Sequence, residues 1–269
     1  MAEVISSATN PLVKRVRQLA ARKHRRGESA FVVQGIQPVW QAVEAGAQVE
    51  VLIVAPDLLR HSGATSMVAA QEAAGVRVAR LSAELFGRIA DREGPSGLAA
   101  IVRSAPSSLD ALVVGPRSVF AALHEVGNPG NLGTILRTAN AAGVAGVILI
   151  GASADPYDPA AVKASMGALF TLPVAPVGSG AEFLAWAADR GVSVVAASGA
   201  ASESFWEAEL DPPLALLLGS EGEGLPDDLL AAARHRVAIP MTGTAESLNL
   251  AVAAGLLLYE VRRRTGLPG

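Results

Sequence analysis

The chain has 269 residues, 51% hydrophobic by type and 17% charged, with a formal net charge of −3. That is ample apolar chain for one large domain or two ordinary ones, and too much for a disordered protein. Cysteine is absent, which excludes a disulfide framework, a thiolate zinc site and a cysteine nucleophile.

The 52 alanines, and the excess of Arg over Lys at 19 to 3, read as a compositional habit rather than as function. Met1–Asn10 is short and polar, not a charged-then-apolar leader. No uncharged apolar run reaches the ~18 residues of a membrane span. The expectation is a soluble cytoplasmic protein.

Seven positive residues fall within the first thirty: Lys14, Arg15, Arg17, Arg22, Lys23, Arg25 and Arg26. Only Glu3 and Glu28 oppose them, leaving this segment at +5 and the rest at −8. A basic opening on an acidic chain suits a polyanion contact. A solvated helix face is the plainer explanation.

Asn10-Pro11 reads as a helix start, with Leu12, Val16 and Leu19 at helical spacing. Phe31–Val33 is a short strand, Gln34-Gly35 a turn, and Gln37–Ala45 a helix ended by Gly46. Val49–Ala55 is a strand and Asp57–Ala74 a helix stopped by Gly75. Strand Val76–Leu81, a short helix from Ser82 and strand Leu98–Val102 follow. This alternation predicts a first α/β domain over residues 1–105, and Ser104–Ser108 is the linker candidate.

The alternation restarts in a second domain, 111–269. Strands are predicted at Val119–Leu123, Val144–Ile150, Val192–Ala197, Leu214–Leu218 and Arg236–Ile239. Helices are predicted at Asn131–Ala142, Ala160–Ala168, Ala181–Asp189, Leu225–Ala233 and Leu248–Arg264. Several strands are continuous apolar runs, as in a parallel sheet covered on both faces.

Three Gly-rich polar loops of this half leave strand ends, where open α/β sheets bind ligands. Asn128–Ala139 enters a helix; Asn131 is a candidate cap at an anion-attracting terminus, and Arg137 follows near the helix start. A lone helical Arg is usually a surface residue, but beside a Gly-rich entry it becomes a phosphate or substrate candidate. Leu216–Pro226 runs from an apolar strand into Gly219-Ser220-Glu221-Gly222-Glu223-Gly224. Its two carboxylates and missing Lys-Ser/Thr ending exclude a phosphate loop and suit a cationic or hydroxyl-bearing ligand; a plain helix entry fits equally. Ile239–Leu250 offers Ser247 as a cap and places Asn249 early in an apolar helix, where it is costly unless paired.

At these loops the sequence resembles the SpoU, or TrmH-type, RNA ribose 2′-O-methyltransferases of the SPOUT superfamily. Asn128–Gly143, Leu217–Pro226 and Ile239–Glu260 look like the family's three motifs, in its order and spacing. Asp155–Phe170 is similar to the intermotif segment of ribosomal-RNA members. Ile5–Ser7, Asn10-Pro11, Arg22-Lys23 and Phe31–Gly35 look like the RNA-binding domain these enzymes often carry, with Gln34-Gly35 at the usual Glu-Gly turn.

The resemblance implies an α/β fold: a smaller N-terminal RNA-binding domain and a C-terminal SPOUT domain, a parallel sheet closed by a trefoil knot. It implies S-adenosylmethionine as cofactor, structured RNA (ribosomal RNA favoured) as partner, and a homodimer whose site draws on both subunits. The long apolar C-terminal helix suits either a dimer interface or a core. No membrane or metal partner is implied, and the four histidines are too scattered for a metal cluster.

Residue by residue, the resemblance carries catalysis to Asn131, Arg137, Glu221, Ser247 and Asn249. It carries cofactor contact, mainly through backbone, to Gly219, Ile239, Met241 and Leu248, with Ala197-Ser198-Gly199 as a further candidate. Lys14, Arg15, Arg22, Lys23, Arg25 and Arg26 are the RNA-contact candidates. Because Arg keeps its proton to above about pH 12, Arg137 is read as a cation that fixes phosphate and stabilises alkoxide, with Glu221 orienting it or relaying a proton. A bulky residue at Gly219 is expected to clash with the cofactor.

Three alternatives stand beside the ribosomal-RNA methyltransferase. A transfer-RNA member of the family often lacks the first hundred residues. A non-catalytic RNA-binding or assembly protein is disfavoured by the intact catalytic set. An ordinary dinucleotide-binding enzyme lacks its Gly-x-Gly-x-x-Gly fingerprint here. The target nucleotide, and housekeeping methylation versus antibiotic self-resistance, are not written in the sequence.

Overall fold

A computed structural model describes residues 4–90 and 94–266, so Glu3 of the basic segment lies outside the described residues. In chain order the first elements are β1 (Val4–Ile5), α1 (Pro11–Gln18), α2 (Arg22–Glu28), β2 (Ala30–Gln34), α3 (Ile36–Glu44) and β3 (Val49–Val54). Then come α4 (Ser62–Ala73), β4 (Arg77–Leu81), α5 (Ala83–Gly87) and β5 (Leu98–Arg103). The chain continues as β6 (Val119–His124), α6 (Pro129–Ala141), β7 (Gly146–Ile150), α7 (Pro159–Ser165), β8 (Val174–Val177), α8 (Gly180–Asp189) and β9 (Ser193–Ala197). It closes with β10 (Glu203–Ser204), β11 (Leu214–Leu218), α9 (Asp227–Ala232), β12 (His235–Ala238) and α10 (Leu250–Thr265). Among the described residues no helix is long and apolar enough to cross a membrane.

The chain divides into two compact units: Met1–Ala105 with Tyr157–Phe170, and Pro106–Pro156 with Thr171–Gly269. The first carries a five-stranded sheet in the order β1-β4-β3-β5-β2. It is mixed, because β5 runs antiparallel to both β3 and β2. Its core joins Leu12, Val13, Val16 and Leu19 to Ile53, Leu81, Phe86 and Ile101.

Tyr157–Phe170, which the sequence reading put in the second domain, belongs instead to the first unit. The cause is aromatic and ionic: Phe31 of β2 meets Tyr157 at 4.7 Å and Phe170 at 6.1 Å between ring centroids. Arg25 pairs with Asp158 at 3.2 Å. Since β2 is an edge strand, α7 and its flanks cover it. The helix is shorter than predicted, ending where Met166 (φ 49°) and Gly167 (φ 93°) enter the left-handed region.

The second unit holds a seven-stranded sheet, order β10-β12-β9-β11-β6-β7-β8, with every pairing parallel. Strands β7 and β11 are buried along their whole length and β6 as far as Leu123, which explains their unbroken apolar runs. On one face Phe120 meets Trp186 edge-on at 5.2 Å, with Phe183 stacked beyond. Helix α10 lies against α6 and β11.

Candidate functional site

Neighbouring parallel strands bring the loops together. β6 and β11 pair in register, Leu123 opposite Leu218, so the chain leaving each strand emerges side by side at their carboxyl ends. The loop after β6 starts α6, whose cap is Asn128, not Asn131: Asn128 Oδ1 accepts from the backbone of Gly130 at 2.8 Å and Asn131 at 3.2 Å. Asn131, freed from capping, spends its side chain elsewhere. Its amide nitrogen donates to Glu221, from the loop after β11.

The third loop supplies the remaining partner. Asn249 caps α10, its Oδ1 accepting from Ala251 at 2.9 Å and Val252 at 3.4 Å. This replaces the expected Ser247 cap and removes the cost of a buried Asn: the residue sits at the mouth of the helix, exposed. Its Nδ2 donates to Asn131 Oδ1 at 3.2 Å. Asn249, Asn131 and Glu221 thus form one hydrogen-bonded chain that fixes both amides in a single orientation.

Arg137 is exposed, and the Glu221 contact expected for it goes to Asn131 instead. The second unit has eight cations, all arginines, against fifteen carboxylates. Arg117, Arg190, Arg234, Arg262, Arg263 and Arg264 hold carbonyls or carboxylates. Among the described residues Arg137 and Arg236 have no hydrogen-bond or ion-pair partner. Three of the five catalytic candidates are therefore brought into contact; Arg137 and Ser247 are not bonded to them.

Beside the trio lies a cleft of about 160 Å³. Gly219, Ile239, Met241, Ser247 and Leu248 line it, together with Ala197–Gly199 from the end of β9. The predicted cofactor positions thus share one cleft. Leu250, Ala253 and Leu257 of α10 complete it, a stripe at helical spacing on the helix expected to serve a dimer interface or a core. Glu246 adds a carboxylate to the rim. Apolar walls with backbone groups from three loops and one carboxylate fit a nucleoside bearing a positive charge.

Gly219 is also constrained by the chain itself. A Cβ there would stand 2.2 Å from the carbonyl of Gly224 and 2.6 Å from Leu225 N, atoms of the chain itself. The loop folds back tightly, Ser220 and Gly224 exchanging backbone bonds at 3.2 and 3.1 Å with Gly224 at φ 71°. Glycine is required at Gly219 to form the loop that carries Glu221.

In the first unit, the RNA candidates separate. Lys14, Arg22, Lys23 and Arg26 are exposed. Arg15 is held by Glu28 at 2.6 Å and Glu50 at 2.7 Å. Arg25 is only 4% exposed and bonds the carbonyls of Leu19 at 3.1 Å and Ala20 at 2.6 Å, so it is committed to the fold rather than to RNA. Among the described residues no group of three His, Asp or Glu side chains could hold a metal ion.

The SpoU rRNA Methylase family profile matches residues 118–259, and that of the MRM3-like substrate binding domain matches residues 10–100. An AdoMet-bound rRNA methyltransferase structure from Sinorhizobium meliloti superposes with a TM-score of 0.90 at 35% identity, covering 97% of this chain and 98% of that one. The 23S rRNA (uridine(2479)-2′-O)-methyltransferase of Streptomyces viridochromogenes is 31% identical over 91% of this chain and 87% of its own length. The 23S rRNA (guanosine(2553)-2′-O)-methyltransferase RlmP of Bacillus subtilis is 29% identical over 96% and 98%.

Proposed function

The chain belongs to the SpoU rRNA methylase family, and from that membership we propose that it methylates a ribose 2′-hydroxyl of 23S ribosomal RNA with S-adenosylmethionine. The observation that carries the reading is the Asn249–Asn131–Glu221 chain, two of whose members come from loops that also line the cleft through Gly219, Ser247 and Leu248. Such an enzyme works in the cytoplasm, where its RNA is made.

Ile239, Leu248 and Leu257 would flank the cofactor's adenine, and backbone groups at Ala197–Gly199 and Leu218-Gly219 would meet its edges. When bound, the cofactor supplies an electrophilic sulfonium methyl. The chain's task is to hold the attacking hydroxyl in line with it, and such positioning is worth about 7–11 kcal/mol. Asn131 and Asn249, locked by their mutual bond, orient the ribose. Arg137 binds the adjacent phosphate and stabilises the oxyanion as the hydroxyl loses its proton to water. Glu221 keeps Asn131 in place.

The enzyme acts as a homodimer. Val252, Leu256 and Tyr259 leave a stripe on α10 that is 52, 46 and 50% exposed. A second copy of α10 would cover it, bringing each subunit's unengaged Arg137 to the other's trio. The family fold also threads the C-terminal segment as a trefoil knot.

Transfer of tritiated methyl from S-adenosylmethionine to protein-free 23S and transfer RNA tests the reading. Label in 23S RNA, at an alkali-resistant linkage, is the expected result. Label on a base, in transfer RNA alone, or nowhere refutes it.

A further inference from the structure

The first unit holds a half-open cavity of about 350 Å³, within the size range of small-ligand sites, and the methyl transfer does not use it. Val32 of β2 with Pro159 and Val162 of α7 make apolar walls; Gln34, Asp158, Ala160 and Lys163 complete the lining, the Gln34 amide donating to the Ile89 carbonyl at 3.1 Å. Asp158 Oδ1 accepts from Ala160 N at 3.0 Å and Oδ2 from Arg25 at 3.2 Å. Each oxygen retains a second lone pair, so an incoming group must donate to it. Lys163 is exposed and has no hydrogen-bond or ion-pair partner among the described residues.

Arg25 ties this cavity to the basic helix. Its guanidinium holds both the end of α1's connection, at Leu19 and Ala20, and the cavity's Asp158. Helix α2 is only about 10 Å long at 1.5 Å per residue. Its exposed Lys23 and Arg26 therefore stand within about 10 Å, along the helix axis, of the Arg25 that bonds Asp158. The first unit as a whole carries fourteen Lys and Arg against ten Asp and Glu, the opposite balance to the second.

An apolar slot with an acceptor edge and a cationic rim matches a flat heterocycle that donates hydrogen bonds and carries an anionic backbone. We propose that the cavity receives one unpaired nucleobase of the RNA substrate, guanine by preference, with N1–H and N2–H donating to Asp158 and the phosphates held by Lys163 and α2. This rests on the RNA substrate proposed above.

The test uses the full chain and a short labelled oligouridine, with or without one central guanosine, read by fluorescence anisotropy. Ala160→Phe fills the cavity from an exposed helix position. It should lose about tenfold in affinity for the guanosine oligomer, the scale of one base stack, and lose the preference over oligouridine. Lys163→Ala should weaken both oligomers and make the salt dependence shallower by about 0.7 in log–log slope. Both variants should bind S-adenosylmethionine as the wild type does by titration calorimetry. Unimpaired guanosine binding by Ala160→Phe, or absence of any guanosine preference in the wild type, overturns the assignment. Methyl transfer to 23S RNA is measured in parallel. Its absence in the wild type counts against the enzyme reading itself; its presence, with an unimpaired Ala160→Phe, counts against the cavity alone.

Discussion

Asn249 donates to the side-chain oxygen of Asn131 across 118 residues of chain, at 3.2 Å. The bond joins the capped start of α10 to the first turn of α6, so one asparagine both ends a loop and aims a second asparagine. The two jobs are separable by chemistry.

Aspartate caps helices as well as asparagine but has no amide to donate. Asn249→Asp is expected to keep the urea midpoint near that of the wild type while methyl transfer falls about 100-fold. Asn249→Ala should lose about 1 kcal/mol of stability as well. Normal turnover in Asn249→Asp would remove Asn131 orientation from the mechanism.

Arg137→Ala and Glu221→Ala should each abolish turnover while leaving cofactor binding in place. If Arg137 serves the partner's trio, mixing the two dead variants after denaturation and refolding restores activity, because half the dimers are mixed and each has one intact site. About a quarter of wild-type turnover is expected from that symmetry. A mixture as dead as its components would place Arg137 in its own subunit's site.

Leu256→Glu puts a charge in the middle of the exposed α10 stripe. Sedimentation velocity should show the wild type as a dimer and the variant as a monomer, with circular dichroism unchanged. A dimeric Leu256→Glu would mean that another surface joins the subunits.

At Gly219 even alanine meets the Gly224 carbonyl. Gly219→Ala should cost about 1–3 kcal/mol, as overpacking does, and weaken S-adenosylmethionine binding because the loop must shift. Thermal unfolding and calorimetry on the same sample check both. A stable Gly219→Ala with wild-type affinity contradicts the close approach seen here.

Hydrogen bonds from Arg263 and Arg264 depress the Glu260 carboxyl from an ordinary 4.5 to about 2. A folded-state pKa below the unfolded value stabilises above about pH 4.5, and that contribution fades as acid approaches pH 2. Thermal midpoints of wild type and Glu260→Gln should therefore differ at neutral pH and converge toward pH 2. A gap that persists at pH 2 would assign Glu260 a role independent of its charge.

Apolar alternation and glycine punctuation made most helices and strands of both units legible, as well as the three loops at strand ends. Local capping was not. Asn128, Asn131, Ser247 and Asn249 are all competent caps by type, and choosing among them requires knowing which side chain has a distant partner. The helix placed at Asp57–Ala74 starts only at Ser62, because turn bonds to Ala55 O occupy Leu58 and Leu59, and His61 caps instead. Two-residue strands such as β1 and β10 carry too little pattern to read. Arg25 looked like its neighbours in the charge run. Its burial depends on Asp158, 133 residues away.

The helix that shields the margin of the first sheet is encoded between two loops of the catalytic half. Residues 1–105 are consequently not a transferable cassette: cut out alone, they would present Phe31 and an uncapped ribbon edge to solvent and invite self-association. Chimaeras that exchange specificity between relatives must move the two stretches together.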